Sequence, residues 1–205
     1  MELALPFGAI VLAGGKSSRL GFDKALLRMD GVPLVQWLPS KLAHTFTSVA
    51  IVVDRADRYH VTFPLLLDTW PDAGPLAGIA AGLEASGEPA VFVCACDMPL
   101  MQASLVQRLC SALEGHDLAI PERAGRLEPL CAVYAASCLP VIQQLLHDRR
   151  LHASGVAGAV RTRTVTEVEW RDLDPEGDSF LSINSPSDLL HVQARAATYG
   201  LTLSR

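Results

Sequence analysis

The sequence predicts an α/β protein in three layers, with helices on both faces of a mostly parallel sheet. Three observations carry this. Short apolar runs alternate with helical stretches along the chain, the pattern of βαβ units. Runs such as Ala9-Ile10-Val11-Leu12 and Ala90-Val91-Phe92-Val93-Cys94 lack polar alternation, as strands buried on both faces do. No repeat, low-complexity tract or linker interrupts the 205 residues, so one domain over 1–205 is expected.

Taken in order, the apolar run ending at Leu12 is the first strand, because it is β-branched before a glycine break. Ala25 to Gly31 reads as a short strand into a turn. Pro33 opens a helix to about Leu42, with Pro39 expected to kink or end it. Val49 to Val53 is the second buried strand, and Leu65-Leu66-Leu67 the third, ending at Asp68. Pro75 suits the first turn of a helix running to about Ser86. Gly78 and Gly82 lie four apart on that helix, which costs propensity and lets something pack close. Ala90 to Cys94 leads straight into Asp97. Ser104 to Leu113 is helical, Leu118 to Ile120 and Leu130 to Ala135 are strands, and Pro140 starts a helix to about His147. Val165 to Trp170 alternates as a half-exposed strand, and Phe180 to Ile183 reads as a last short one. Ser185-Pro186 caps a terminal helix over 187–199.

Half of the residues are hydrophobic, enough for a core without staples. The net charge of −5 argues against nucleic acid or an anionic membrane as partner. No apolar stretch approaches a membrane span, and the start MELALPFG lacks the features of a signal peptide, so a cytoplasmic location is expected. The five cysteines are odd in number and sit mostly in apolar segments, which fits reduced, buried thiols. Cys94-x-Cys96 lacks the spacer of zinc or redox pairs.

The chemistry is expected to begin at Ala13. Gly14 and Gly15 have no Cβ, so the backbone can adopt unusual φ/ψ and a ligand can reach its N–H groups. Lys16, Arg19 and Lys24 place three cations in one loop, where a polyphosphate would offset their repulsion. The Walker loop and the G-x-G-x-x-G fingerprint both fail here: five residues separate Gly15 from Gly21, and Gly14 and Gly15 are adjacent. An ordinary strand-to-helix turn with solvated lysines is the plain alternative, and Lys16 is read as solvated. Arg19 and Lys24 are assigned to the phosphates, Arg as a bidentate donor and Lys as a point charge.

In a sheet of this kind ligands bind at the carboxyl ends of the strands. Polar residues stand at four such ends: Ala13 to Gly15, Asp68, Asp97 and Asn184. Asp97 follows an uncharged strand and precedes Met98-Pro99, so its carboxylate is expected to project from the sheet edge. As a hard oxygen donor it suits Mg²⁺, which takes one or two carboxylates plus substrate phosphates; capping of the next helix is the alternative. Asp68 is preferred over Asp72 as the nucleotide carboxylate. Gly74 and Gly78 would admit a base closely, or serve only a turn and a helix contact. No serine or histidine shows a nucleophile arrangement.

The pattern L-A-G-G-x-x-x-R-L-G-x-D-K from Leu12 to Lys24 resembles the signature loop of the nucleotidyltransferases, specifically the molybdenum cofactor guanylyltransferases. C-D-x-P at Cys96 to Pro99 resembles their metal motif, and D-T-W-P-D-A-G-P-L-A-G-I their second motif, in which the first Asp contacts the nucleotide. Glu128 to Tyr134 and Phe180 to Leu189 look like later segments of the same family; the second resembles its F-x-N-x-N-x-P-x-D-L acceptor segment, with Ser182 in place of the first Asn. After the second strand, Val52-Val53-Asp54-Arg55 departs from the Asn that the family often offers to the base.

The resemblance implies a single-domain, three-layer, Rossmann-like nucleotidyltransferase fold with a nucleotide-binding half over 7–110 and an acceptor half over 111–205. It implies Mg²⁺ as cofactor, held by Asp97, and transfer of GMP from GTP to the terminal phosphate of molybdopterin with release of pyrophosphate. Arg19, Lys24 and Asp97 are the implied catalytic residues. Leu12, Ala13, Gly14, Gly15, Lys24, Asp68, Gly78 and Asp97 would bind the nucleotide, and Ser182 and Asn184 the acceptor. Partner proteins that deliver or receive the cofactor, such as molybdoenzymes, are also implied. Cytidylyl transfer to the same cofactor is the nearest alternative, but its enzymes usually carry Ala where Gly14 stands, and a Cβ there would crowd a purine. Sugar-phosphate nucleotidyl transfer and a non-catalytic nucleotide-binding domain are the others.

Overall fold

The computed structural model describes residues 5–14, 20–70 and 72–205. The first strand, β1 (Leu5–Leu12), is followed by a 3-10 turn at Lys24–Leu26, a small pair β2 (Arg28–Met29) and β3 (Val32–Pro33), and α1 (Leu34–Leu42). Then come β4 (Phe46–Val53), β5 (Leu65–Leu67), α2 (Pro75–Ser86), β6 (Ala90–Ala95) and α3 (Ala103–Ala112). The second half holds β7 (Leu118–Arg123), β8 (Arg126–Leu127), β9 (Cys131–Ala135), α4 (Leu139–His147), β10 (Thr162–Val165), α5 (Glu167–Trp170), α6 (Pro186–Thr198) and β11 (Leu203–Ser204).

The main sheet runs β10-β7-β9-β6-β1-β4-β5, with β8 paired to β7. β1 is parallel to β4 and β6, β4 to β5, and β7 to β10; β9 is antiparallel to both β6 and β7. This is the expected mostly parallel sheet, with β9 reversed within it and β8 antiparallel at its side. The unbroken apolar runs have a simple cause, since successive residues face opposite layers. Ala9 and Val11 join a core with Leu38 of α1 and Leu105 and Leu109 of α3. Ile10 and Leu12 join another with Leu76 and Ile79 of α2 and Ile142 of α4. A third, smaller core under α6 unites Met29, Leu34, Ile183, Val192 and Leu203. All five cysteines are free and buried, as expected.

Several elements differ from expectation for identifiable reasons. Ala25 and Leu26 form a 3-10 turn because the Asp23 carboxylate accepts the Ala25 N–H at 3.1 Å and caps it. α1 continues through Pro39 to Leu42, with Pro39 buried beside Leu38. Proline forfeits one helical bond, and packing outweighs that loss. Val165 to Trp170 is a strand end and then the short helix α5, because Thr166 and Glu169 form a reciprocal capping box. β7, expected over Leu118 to Ile120, runs on to Arg123 and turns back at Ala124-Gly125, both with positive φ, the two-residue hairpin geometry.

Phe180 to Ile183 is not a strand either. Its backbone N–H groups bond locally, Phe180 to the Gly177 carbonyl at 3.1 Å and Leu181 to that of Asp178 at 3.1 Å, while Ile183 reaches the Asp97 carbonyl at 3.1 Å. Asp174, 2 % exposed, fixes the start of this segment by accepting the N–H groups of Asp178 at 2.9 Å and Ser179 at 2.8 Å.

Replacing Asp174 with Ala leaves two buried N–H groups unpaired, so unfolding free energy should fall by about 2 kcal/mol or more. Urea denaturation checks this; an unchanged midpoint would show that the two bonds contribute nothing.

Candidate active site

Because β1, β4, β5 and β6 are parallel, their carboxyl ends meet on one edge, and the reversed β9 brings the residues before it to the same edge. Ladder bonds continue past the strand ends and hold the loops: Ala13 N–H to the Val52 carbonyl at 2.8 Å, Cys96 to Leu12 at 3.0 Å and Asp68 to Val53 at 2.9 Å. The result is a cleft of about 680 Å³, within the usual range for small-molecule sites.

Leu12, Ala13, Gly14, Lys24, Asp68 and Asp97 all line it. So do Gly78, Ser182 and Asn184. Gly15, Lys16 and Arg19 lie outside the described residues. The Lys24 ammonium joins the two sides of the cleft, donating to the Asp97 carboxylate and, at 2.7 Å, to the Asn184 side-chain oxygen. The Asn184 amide in turn donates to the Ser182 hydroxyl at 2.9 Å, and its backbone N–H to Asp188 at 3.0 Å. Asp97 is 5 % exposed, a floor residue of the cleft and not the projecting one expected, because the segment at Ile183 packs over its backbone.

Asp68 is half-buried and accepts the Trp70 N–H at 2.9 Å. Burial pushes its carboxyl pKa up, the Trp70 bond offsets part of this, and the nearby Asp54 adds to the rise. Gly14 has no positive φ, and a Cβ there would meet only the Asp54 nitrogen at 3.7 Å, so neither backbone nor packing demands glycine. At Gly78, which lines the cleft, a Cβ would meet Leu12 Cδ2 at 3.0 Å; this glycine lets α2 sit against β1, the close helix contact that the sequence offered beside base approach.

One network was not expected. The Asp23 carboxylate receives the Tyr59 hydroxyl at 2.8 Å and the Arg58 guanidinium at 3.0 and 3.3 Å, besides the Ala25 N–H. Tyr59 also lies 3.3 Å from the Ala13 carbonyl, and Arg58 pairs with Asp54 at 2.7 Å. Burial works against the Asp23 charge, yet the bonds from Tyr59, Arg58 and Ala25 outweigh it and hold the carboxyl below its usual 3.8. Burial and the bond to Asp23 push the Tyr59 hydroxyl up. The sequence signal was the D-K pair in the loop pattern; nothing at Arg58-Tyr59 pointed there.

Among the described residues no three His, Cys, Asp or Glu converge into a metal cage. A hard cation is offered the Asp97 carboxylate within a phosphate-sized cleft, a donor set that fits an ion shared with a polyphosphate. No described helix is long and apolar enough to cross a membrane.

The profile of the MobA-like NTP transferase domain matches residues 9–161. The chain belongs to the MobA-like NTP transferase family. This MobA-like chain is 34 % identical over 188 residues to the molybdenum cofactor guanylyltransferase of Desulfosudis oleivorans, covering 90 % of the chain and 93 % of the relative. It is 37 % identical over 197 residues to a probable molybdenum cofactor guanylyltransferase of Methanosarcina mazei, covering 88 % and 87 %. The crystal structure of molybdopterin-guanine dinucleotide biosynthesis protein A from Archaeoglobus fulgidus superposes with a TM-score of 0.81 at 25 % identity, over 94 % of the chain and 100 % of that structure. The Thermus thermophilus 2-C-methyl-D-erythritol 4-phosphate cytidylyltransferase shares the fold, with a TM-score of 0.67 at 16 % identity over 92 % and 98 %. The nucleotidyltransferase fold expected for this MobA-like chain is therefore the one it has.

The Asp23 network gives a pH prediction. A carboxyl whose folded pKa is depressed stabilises the protein fully above its unfolded value of 3.8, and loses this as pH falls through the lower folded value. The stability difference between wild type and Asp23→Asn should hold from neutral pH to about 5 and shrink towards pH 3. Thermal melts across that range check it; a difference constant down to pH 3 would refute it.

Proposed function

We propose that this chain transfers GMP from GTP to the terminal phosphate of molybdopterin, forming molybdopterin guanine dinucleotide and pyrophosphate. The observation that carries the reading is the Lys24 ammonium bridging Asp97 and Asn184 at the centre of a cleft whose relatives are named for this activity. Those names also favour guanylyl over cytidylyl transfer.

An oxygen of the acceptor phosphate, already ionised at neutral pH, forms the new bond to the α-phosphorus. The bond from that phosphorus to the bridging oxygen breaks, and pyrophosphate carries away the electron pair. No protein nucleophile is needed, so the residues act by positioning and by neutralising charge. Lys24, joined by Arg19, binds the phosphates. Asp68, on the β5 side with Gly14, faces the nucleoside, and Ser182 and Asn184 hold the acceptor phosphate against Lys24. Asp97 would hold Mg²⁺, which supplies charge neutralisation to the phosphates when bound. The acceptor's source and the product's destination are expected to be other proteins of cofactor delivery and use.

Asp97→Ala and Lys24→Ala should each lower kcat/KM for pyrophosphate release by about a hundredfold or more. If either variant worked at the wild-type rate, this assignment would fall.

Gly14 permits a sharper test, because alanine fits the fold at that point. Gly14→Ala should change stability by less than about 0.5 kcal/mol while raising KM for GTP relative to CTP. An unchanged GTP-to-CTP ratio would remove Gly14 from base selection. Thermal stabilisation by each of GTP, CTP, ATP and UTP, with and without Mg²⁺, tests the nucleotide and the metal together.

A further inference from the structure

Glu128 lines the cleft and has no part in the chemistry above. It lies in the link between β8 and β9. Its backbone is held at both ends: the N–H donates to the Pro121 carbonyl at 3.0 Å, and the carbonyl accepts from Cys131 at 3.1 Å. Cys131 is registered against Cys94 of β6, so Glu128 stands on the β9 side of Asp97. Asp54 and Asp68 stand on the opposite side, at the ends of β4 and β5.

The Glu128 carboxylate makes no hydrogen bond to a described residue. Among the described residues no side-chain oxygen is both buried and unpaired, so its oxygens are reached by solvent, and the residue lines the cleft. The residue itself is only partly exposed. Burial pushes its carboxyl pKa up, and Arg123 and Arg126 pull it partly back without bonding to it. Pro129 and Leu130 follow it in the chain, and Phe180 and Ser182 line the same cleft. A half-desolvated carboxylate against an apolar wall is costly unless a ligand supplies donors.

We propose that Glu128 recognises the acceptor's pterin ring, its two oxygens receiving the parallel ring N–H and amino donors while the ring lies on the Leu130 and Phe180 side of the cleft. The inference rests on the reading of molybdopterin as acceptor. A carboxylate matches this edge because both of its oxygens only accept, and paired charge-assisted bonds fix a planar ligand in angle as well as place. Guanine carries the same edge, but the nucleoside residues lie across Asp97 from Glu128. A site built around such donors rejects the analogue that lacks one.

The test compares wild type with Glu128→Gln and Glu128→Ala, using molybdopterin and GTP as substrates, and 6-hydroxymethylpterin against 6-hydroxymethyllumazine, which has a carbonyl in place of the amino group, as binding probes. Both variants should raise KM for molybdopterin at least about tenfold with KM for GTP unchanged. Wild type should prefer the pterin to the lumazine, and the variants should lose that preference. Melting temperature and GTP binding report whether the variants fold, with Gln as the near-isosteric control. An unchanged KM for molybdopterin, or a rise in KM for GTP instead, overturns the proposal, the second result placing guanine at Glu128. If wild type transfers no GMP to molybdopterin, the preceding reading fails; the two probes still decide whether Glu128 reads an amino-heterocycle edge.

Discussion

The active cleft depends on one ammonium group. Lys24 bonds Asp97, 73 positions along the chain, and Asn184, 160 positions along. A charge-assisted bond contributes roughly 1.5 to 3 kcal/mol, so its two partners are held by more than local backbone preference. Through Asp97 it fixes the end of β6, and through Asn184 the segment leading into α6. The Ile183 N–H bonded to the Asp97 carbonyl ties these same two points a second time. What the sheet edge supplies as separate loops, this lysine joins into a single surface.

Lys24 is itself held by its neighbour. Asp23 is clamped by Arg58 and Tyr59, and Tyr59 reaches the carbonyl of Ala13. The loop that leaves β1 is thereby pinned where it starts and where it ends, both times against the segment after β4. Such preorganisation would serve the proposed reaction, which needs no covalent step on the protein and would lose rate mainly through misplacement of its phosphate-binding groups. A half-buried carboxylate that kept its charge without partners would be costly; here bonds from three residues oppose the burial.

Much of this was legible in the sequence, for physical reasons that differ from place to place. β1, β6 and α2 were readable because unbroken apolar runs and a proline at a helix start are local signals. Asp97 was readable as a cleft residue because a lone charge follows such a run, although it lies on the floor and does not project. The region from Val165 to Trp170 misled because its alternation mimics a strand, while the Thr166–Glu169 capping box, also local, decides for a helix. Phe180 to Ile183 misled because its hydrogen bonds go to Gly177, Asp178 and Asp97, which apolar content does not reveal. Arg58 and Tyr59 were invisible because their meaning comes from Asp23, 35 and 36 positions away. Gly78 kept two readings in the sequence because a missing Cβ serves packing as well as ligand approach; the position of Leu12 shows the packing role, and the residue also lines the cleft.

The small sheet at the other end of the chain has a temporal consequence. β11 pairs with β2, placing Leu203 opposite Met29, and the Thr202 N–H bonds the Asp30 carboxylate across 172 positions. On the ribosome, residues 24–30 emerge long before their partners at 184 and 202–204 exist. The first three parallel strands can assemble early, but Lys24 must wait with an incomplete set of bonds until residue 184 arrives. The cleft is therefore among the last parts of the molecule to be finished, although it is written almost first.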